Sequence, residues 1–109
     1  MTGPLISRVI KAGNFLFLSG LTGDGPDTET QSRDIFEKMK KILEDSDSSM
    51  ENIINATVYL TDLNDRPKHF NPVWSEYFTE NPPTRTCIQV GLAHPAKVEV
   101  TVVAIISKK

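Results

Sequence analysis

The chain has 109 residues and a formal net charge of −2, with an isoelectric point near 5.6, so it lacks the basic footprint that non-specific nucleic-acid binding requires. One cysteine cannot close an internal disulfide, and no signal peptide, membrane span or lipidation site is recognisable, which leads us to expect a soluble, cytoplasmic protein. His69 and His94 stand apart from other candidate ligands, so no metal is expected.

The N-terminal segment Met1 to Ser7 carries Gly3-Pro4 and no period, and reads as extended or irregular. Arg8 to Lys11 turns at Ala12-Gly13 into Asn14 to Ser19, a short apolar strand with Phe15 and Phe17 on one face and Leu16 and Leu18 on the other. Both faces want cover. Gly20, Gly23 and Gly25 then mark a bend, read as a loop in the first instance, although glycines also permit close backbone approach to a ligand.

Thr28-Glu29-Thr30-Gln31 has the form of a capping box, and Ile35, Met39, Ile42 and Leu43 follow at helical spacing, predicting a helix from about Glu29 to Glu44. Its lysines Lys38, Lys40 and Lys41 belong to a solvated face. Ser48-Ser49-Met50-Glu51 suits one short helical turn. Ile54 to Leu60 alternates, with β-branched enrichment, as a strand does. Asn64 or Asp65 is placed to cap a second helix whose stripe Phe70, Val73, Trp74, Tyr77 and Phe78 reads as core.

Asn81-Pro82-Pro83 breaks that helix and pushes the chain extended. From Arg85 onward Thr86, Ile88, Val90 and Leu92 alternate with Arg85, Cys87, Gln89 and Gly91. The last strand, Val98 to Ile106, is apolar except at Glu99, where a charge is costly to bury unless paired or used. A guanidinium on a rigid strand grips a carboxylate bidentately, or else pairs with an acid across an interface. Glu99 is open to the same two readings. Cys87 shares the Arg85 face, but no histidine or acid is evidently placed to activate it, so it is assigned to lining rather than covalent catalysis.

These elements give β-β-α-β-α-β-β, an α+β domain over residues 1–109 with two helices on one face of a mixed sheet. Strands apolar on both faces need more cover than two helices supply, which points to a homo-oligomer.

Pro83-Thr84-Arg85-Thr86-Cys87 through Val98-Glu99-Val100 resembles the signature of the Rid family of reactive-intermediate deaminases, also called YjgF-like and, in older usage, L-PSP endoribonucleases. Ala12-Gly13-Asn14 to Ser19-Gly20, Thr57 to Leu63, and Phe70-Asn71-Pro72-Val73-Trp74 to Tyr77-Phe78 are similar to the family pattern in the same order. The resemblance implies a chorismate-mutase-like fold (bacillus type), a homotrimer and sites in clefts between subunits. It implies hydrolysis of enamines and imines such as 2-aminoacrylate to 2-keto acids and ammonia, with a small carboxylate as partner and no cofactor.

Residue by residue, the resemblance puts Arg85 on the substrate-carboxylate arginine and Glu99 on the glutamate that positions or activates a water. Cys87 falls on a pocket-lining position, Ser19 and Gly20 on residues near the pocket, and Asn71 on a cleft asparagine. The chain departs from the pattern at Leu5, where a tyrosine is usual in the RidA subgroup. The rival readings are an endoribonuclease, disfavoured by the acidic balance, and a non-catalytic 2-keto-acid-binding or chaperone-like trimer.

If the last two strands formed a simple hairpin, Arg85 would face Ile105 and Glu99 would face Gly91, about 20 Å apart along the sheet. That is too far for one small substrate. Either the strands are not neighbours in that register, or the arginine of one subunit works with the glutamate of another; the second reading is the one expected.

Overall fold

The computed structural model describes residues 5–106; the Gly3-Pro4 part of the irregular N-terminal segment lies outside them. The alternating stretches form strands β1 (Val9–Ala12), β2 (Phe15–Leu18), β3 (Ile53–Leu60), β4 (Thr84–Gln89) and β5 (Val98–Ile105). The amphipathic stretches form α1 (Thr28–Asp45) and α2 (Asn71–Tyr77), the latter entered through a π-helical turn at Arg66–Phe70. A 3-10 turn at Met50–Asn52 leads into β3. None of the described helices is long and apolar enough to cross a membrane.

The strands form one mixed sheet in the order β1-β2-β5-β3-β4. β3 and β4 run parallel, joined by the α2 crossover, and the other neighbouring pairs are antiparallel. The hairpin register considered from the sequence is therefore not formed, because β3 lies between β4 and β5. A parallel neighbour needs a crossover of a dozen or so residues, and the segment from Thr61 to Pro83, carrying α2, supplies it.

Both helices cover the same sheet face. Leu16, Leu18, Ala56, Val58, Leu60, Val98, Val100, Val102 and Ala104 point into this core, beneath Ile35, Phe36, Met39 and Leu43 of α1 and Val73 of α2. The opposite face has no cover among the described residues: Ile10 is 53 % exposed, Phe15 45 %, Phe17 48 % and Ile88 41 %. The two-faced character of the strands was legible in the alternation, and the fold satisfies only one side of it.

The start of α1 differs from the capping box read in the sequence. Asp27, not Thr28, is the N-cap, and its partner is Thr30, whose backbone N–H donates to Asp27 Oδ1 at 2.9 Å. Thr28 lies within the helix and donates its hydroxyl proton to Asp65 Oδ2 at 2.6 Å. Gln31 is buried and clamps two loops, donating to the carbonyls of Gly25 and Pro95 and accepting from the Lys97 N–H. The general pattern misplaces the cap because Ser, Thr and Asp all serve in that role.

Phe36 holds α2 in place. It is fully buried and touches the rings of Phe70, Trp74, Tyr77 and Phe78 at centroid distances of 6.0, 6.0, 5.1 and 5.8 Å. The helices are tied again at their surface, where Arg33 donates to Glu76 at 2.6 Å and the Tyr77 hydroxyl donates to Glu37. Burial, then the Glu37 carboxylate, pushes the Tyr77 hydroxyl up to about 12, so it remains a donor at neutral pH. Phe36→Ala should cost about 3–5 kcal/mol, the usual range for emptying a packed aromatic site. Urea unfolding checks this, and a loss below about 1 kcal/mol would mean that the ring cluster does not anchor α2.

Candidate functional site

The first group of expected site residues is assembled where β4 passes beneath α2. The helix ends at Tyr77, capped by the Phe78 N–H, rather than at the Asn81-Pro82-Pro83 break; Asn81 then turns the chain at φ 48° and Pro82-Pro83 lead it into the edge strand. Arg85 and Cys87 then point to the helix-covered side, level with Ala56 and Val58 of β3, and both are half-buried. Arg85 Nη1 donates to Asn71 Oδ1 at 2.9 Å. Its guanidinium carbon stands 4.9 Å from the centroid of the Trp74 ring and 5.8 Å from that of Phe70. Among the described residues no carboxylate lies within ion-pairing distance of Arg85; the salt bridges involve Arg33 and Lys38 instead.

The second group lies on the other face. Glu99 sits opposite Tyr59, which in turn is level with Ile88, so the three share the uncovered side. Gly20 lies directly against the Glu99 carboxylate: a Cβ added there would stand 3.0 Å from Glu99 Cδ and 3.1 Å from Thr101 Oγ1. Only a residue without a side chain leaves that space to the carboxylate. Ser19 reaches back instead, donating its hydroxyl proton to the Ser7 carbonyl at 2.6 Å and so holding the segment that carries Leu5, itself 97 % exposed. Glu99 also lines a cavity of about 270 Å³ with Asp24 and His94. No hydrogen bond or ion pair engages its carboxylate among the described residues.

Strand parity separates the two groups. Arg85 is level with Ala56 and Val102, whereas Glu99 is level with Tyr59. They are thus two strands and three residues apart, roughly 14 Å between backbones, with side chains on opposite faces. Arg85, Cys87 and Asn71 come together, as do Glu99 and Gly20, whereas Ser19 is turned to the Ser7 carbonyl; the two sets do not meet within one chain.

Reading the sequence missed four residues at these places. Phe70 and Trp74 were read as core, yet they also face the guanidinium, and Trp74 is only half-buried. Asp24 and His94 come from loops whose convergence on Glu99 has no periodic signal. An adjoining cavity of about 520 Å³ shares Leu92, His94, Pro95 and Ala96 with the one at Glu99 and is lined also by Gln31, Thr61 and Lys97, but by none of the expected site residues. Gln31 is bonded to the loops that form its walls.

A mixed five-stranded α+β sheet with both helices on one face, carrying a half-buried arginine on the covered side and a glutamate on the uncovered side, defines the class of fold. Residues 3–106 match the family model described as Endoribonuclease L-PSP, and the chain belongs to this family. A RutC family protein of Pyrococcus horikoshii is 41 % identical over 97 residues, covering 82 % of this chain and 75 % of that one. The 3-aminoacrylate deaminase RutC of Acinetobacter baylyi is 34 % identical over 103 residues, covering 86 % and 81 %. The crystal structure of a YjgF family member from Neisseria meningitidis superposes with a TM-score of 0.91 at 27 % identity, covering 99 % of this chain and 92 % of that one.

Cys87 provides a test of the Arg85 side. Burial raises its thiol above the ordinary value, and the positive charges of Arg85 and Arg66 only partly offset this. The thiol therefore stays protonated at neutral pH, as befits a lining group. Alkylation of this single cysteine by iodoacetamide should show a midpoint above that of a free thiol. A midpoint below it would mean that the two arginines dominate and would restore the case for a nucleophile.

Proposed function

We propose that the protein hydrolyses small enamines and imines carrying a carboxylate, of the 2-aminoacrylate type, to 2-keto acids and ammonia at clefts between the subunits of a homotrimer. The observation that carries this reading is Arg85: a half-buried cation held by a neutral amide and two rings, with no acid to neutralise it among the described residues. A carboxylate fits that fork in a planar, charge-assisted pair. The relative named 3-aminoacrylate deaminase, whose named substrate is likewise an amino-substituted acrylate though with nitrogen on carbon 3, supports the reaction class.

In the proposed sequence the enamine takes up a proton from solvent at carbon and gives one up from nitrogen to become the imine, and Arg85 of one subunit fixes its carboxylate. Glu99 of a neighbouring subunit holds a water and accepts its proton as the oxygen adds to the imine carbon. The same proton then passes to nitrogen to give the amino alcohol, and the hydroxyl proton of that intermediate is carried through Glu99 to nitrogen as the C–N bond breaks, so that ammonia leaves and the carbonyl forms. The reaction draws on a substrate that is already electrophilic, so positioning and one proton relay supply the catalysis. The exposure of Ile10, Phe15 and Phe17 on the uncovered face supports an assembly that would bury them.

Pyruvate release from freshly generated 2-aminoacrylate, measured in a coupled assay, tests the proposal. Acceleration over the spontaneous rate is expected; binding of pyruvate without acceleration would leave a ligand-holding protein, and cleavage of purified RNA would favour the nuclease named by the family. Glu99→Gln should lower turnover by about 10²-fold while keeping ligand binding. Gly20→Ala should act in the same direction, because the Glu99 side chain is free to swing aside and the fold survives, but its carboxylate is displaced. Arg85→Lys should weaken pyruvate binding by about ten- to a hundred-and-fifty-fold. Light scattering that returned a monomer of 12.1 kDa would remove the shared site.

A further inference from the structure

Asn71 and Trp74 stand three residues apart on α2 and so share one helix face. That face presents a hydrogen-bond acceptor and an aromatic ring to the same guanidinium, with Asn71 Oδ1 2.9 Å from Arg85 Nη1 and the Trp74 centroid 4.9 Å from its carbon. Trp74 is itself immobilised. Its ring packs against Phe78 at 4.1 Å, Phe70 at 6.0 Å and Phe36 at 6.0 Å, and Phe36 is fully buried.

We infer that Trp74 is the positioning residue for the carboxylate anchor, an inference that rests on the anion-site reading of Arg85. An unsupported arginine side chain has large rotamer freedom, which a ligand must remove on binding. A carboxylate partner would remove it too, but would also spend the charge. The face of an indole attracts the cation and fixes its plane while leaving it positive. Trp74 thus holds the guanidinium over its ring and leaves the N–H groups that Asn71 does not engage to an incoming carboxylate. The ring acts through Arg85 and takes no part in the proton transfers.

The expected signature is a loss of ligand affinity that depends on Arg85. Trp74→Leu should weaken pyruvate binding by about three- to thirty-fold, with KM raised and kcat little changed, and Trp74→Phe should recover most of the loss. In the Arg85→Lys background, where the planar fork is absent, Trp74→Leu should have no more than about a two-fold effect. Calorimetric titration of the four proteins of this cycle, each confirmed to be folded and assembled, gives the coupling directly. Independent losses that multiply, or a Trp74→Leu protein that binds like the parent, would overturn the inference while leaving the anion site intact.

A mutation-free measurement guards against a Trp74→Leu protein that fails to fold. Trp74 is the only tryptophan, so its emission should change when the parent is saturated with propionate, a carboxylate that does not absorb in this range. Unchanged emission alongside calorimetric binding would overturn the role of Trp74. Absence of binding by the parent itself, to propionate and to pyruvate, would remove the anion-site reading and this inference with it.

Discussion

A β-strand has two faces, and the side chains of this sheet are assigned to them by pairing that leaves no freedom of choice. Arg85 shares its level with Ala56 and Val102, both buried under the helices, while Glu99 shares its level with Tyr59 on the uncovered side. A one-residue slip of β5 would turn Glu99 to the other face but expel the buried valines of that strand, and a slip of β4 would take Arg85 away from Asn71, Phe70 and Trp74. The packing energy of the core therefore fixes where the two charges point. The proposed chemistry inherits this constraint: one molecule offers an anchor or a carboxylate to a given ligand, and completion requires a second copy.

The two half-sites are built in different ways. The Arg85 side is rigid and aromatic, supported through Trp74 and Phe70 by the ring cluster around Phe36. The Glu99 side depends on the absence of a side chain at Gly20 and on loops that meet around Asp24 and His94. An anchor gains from immobility, because ordering a flexible cation would cost affinity. The proton relay proposed for Glu99 needs room for water, and the loop-lined cavity beside it offers that room.

Much of this was legible in the sequence because period reports local structure directly. The alternation through Arg85, Cys87 and Gln89 placed them on one face, and the stripe from Phe70 to Phe78 placed a helix, as found. Pairing partners were less legible. Arg85 and Glu99 lie in consecutive strands of the chain, yet β3 is inserted between those strands in space, a choice made by the α2 crossover and by burial. Trp74 illustrates the other limit: an aromatic residue at core spacing looks the same in sequence whether its outer face meets solvent, another ring or a cation. The cap of α1 shows a third, since Asp27, Thr28 and Thr30 are all competent and only the local backbone decides among them.

The central claim is that the anchor and the proton-relay carboxylate come from different subunits, and complementation between inactive variants tests it most directly. Arg85→Lys and Glu99→Gln chains, each of low activity alone, are co-expressed in equal amounts and the mixed assemblies assayed for pyruvate release. A shared site predicts recovery to about a quarter of the parent activity, since random cyclic assembly pairs an intact arginine with an intact glutamate at that fraction of interfaces. Mixed assemblies that are verified to form yet stay as inactive as either variant would contradict it, and would place both residues' contributions within a single chain.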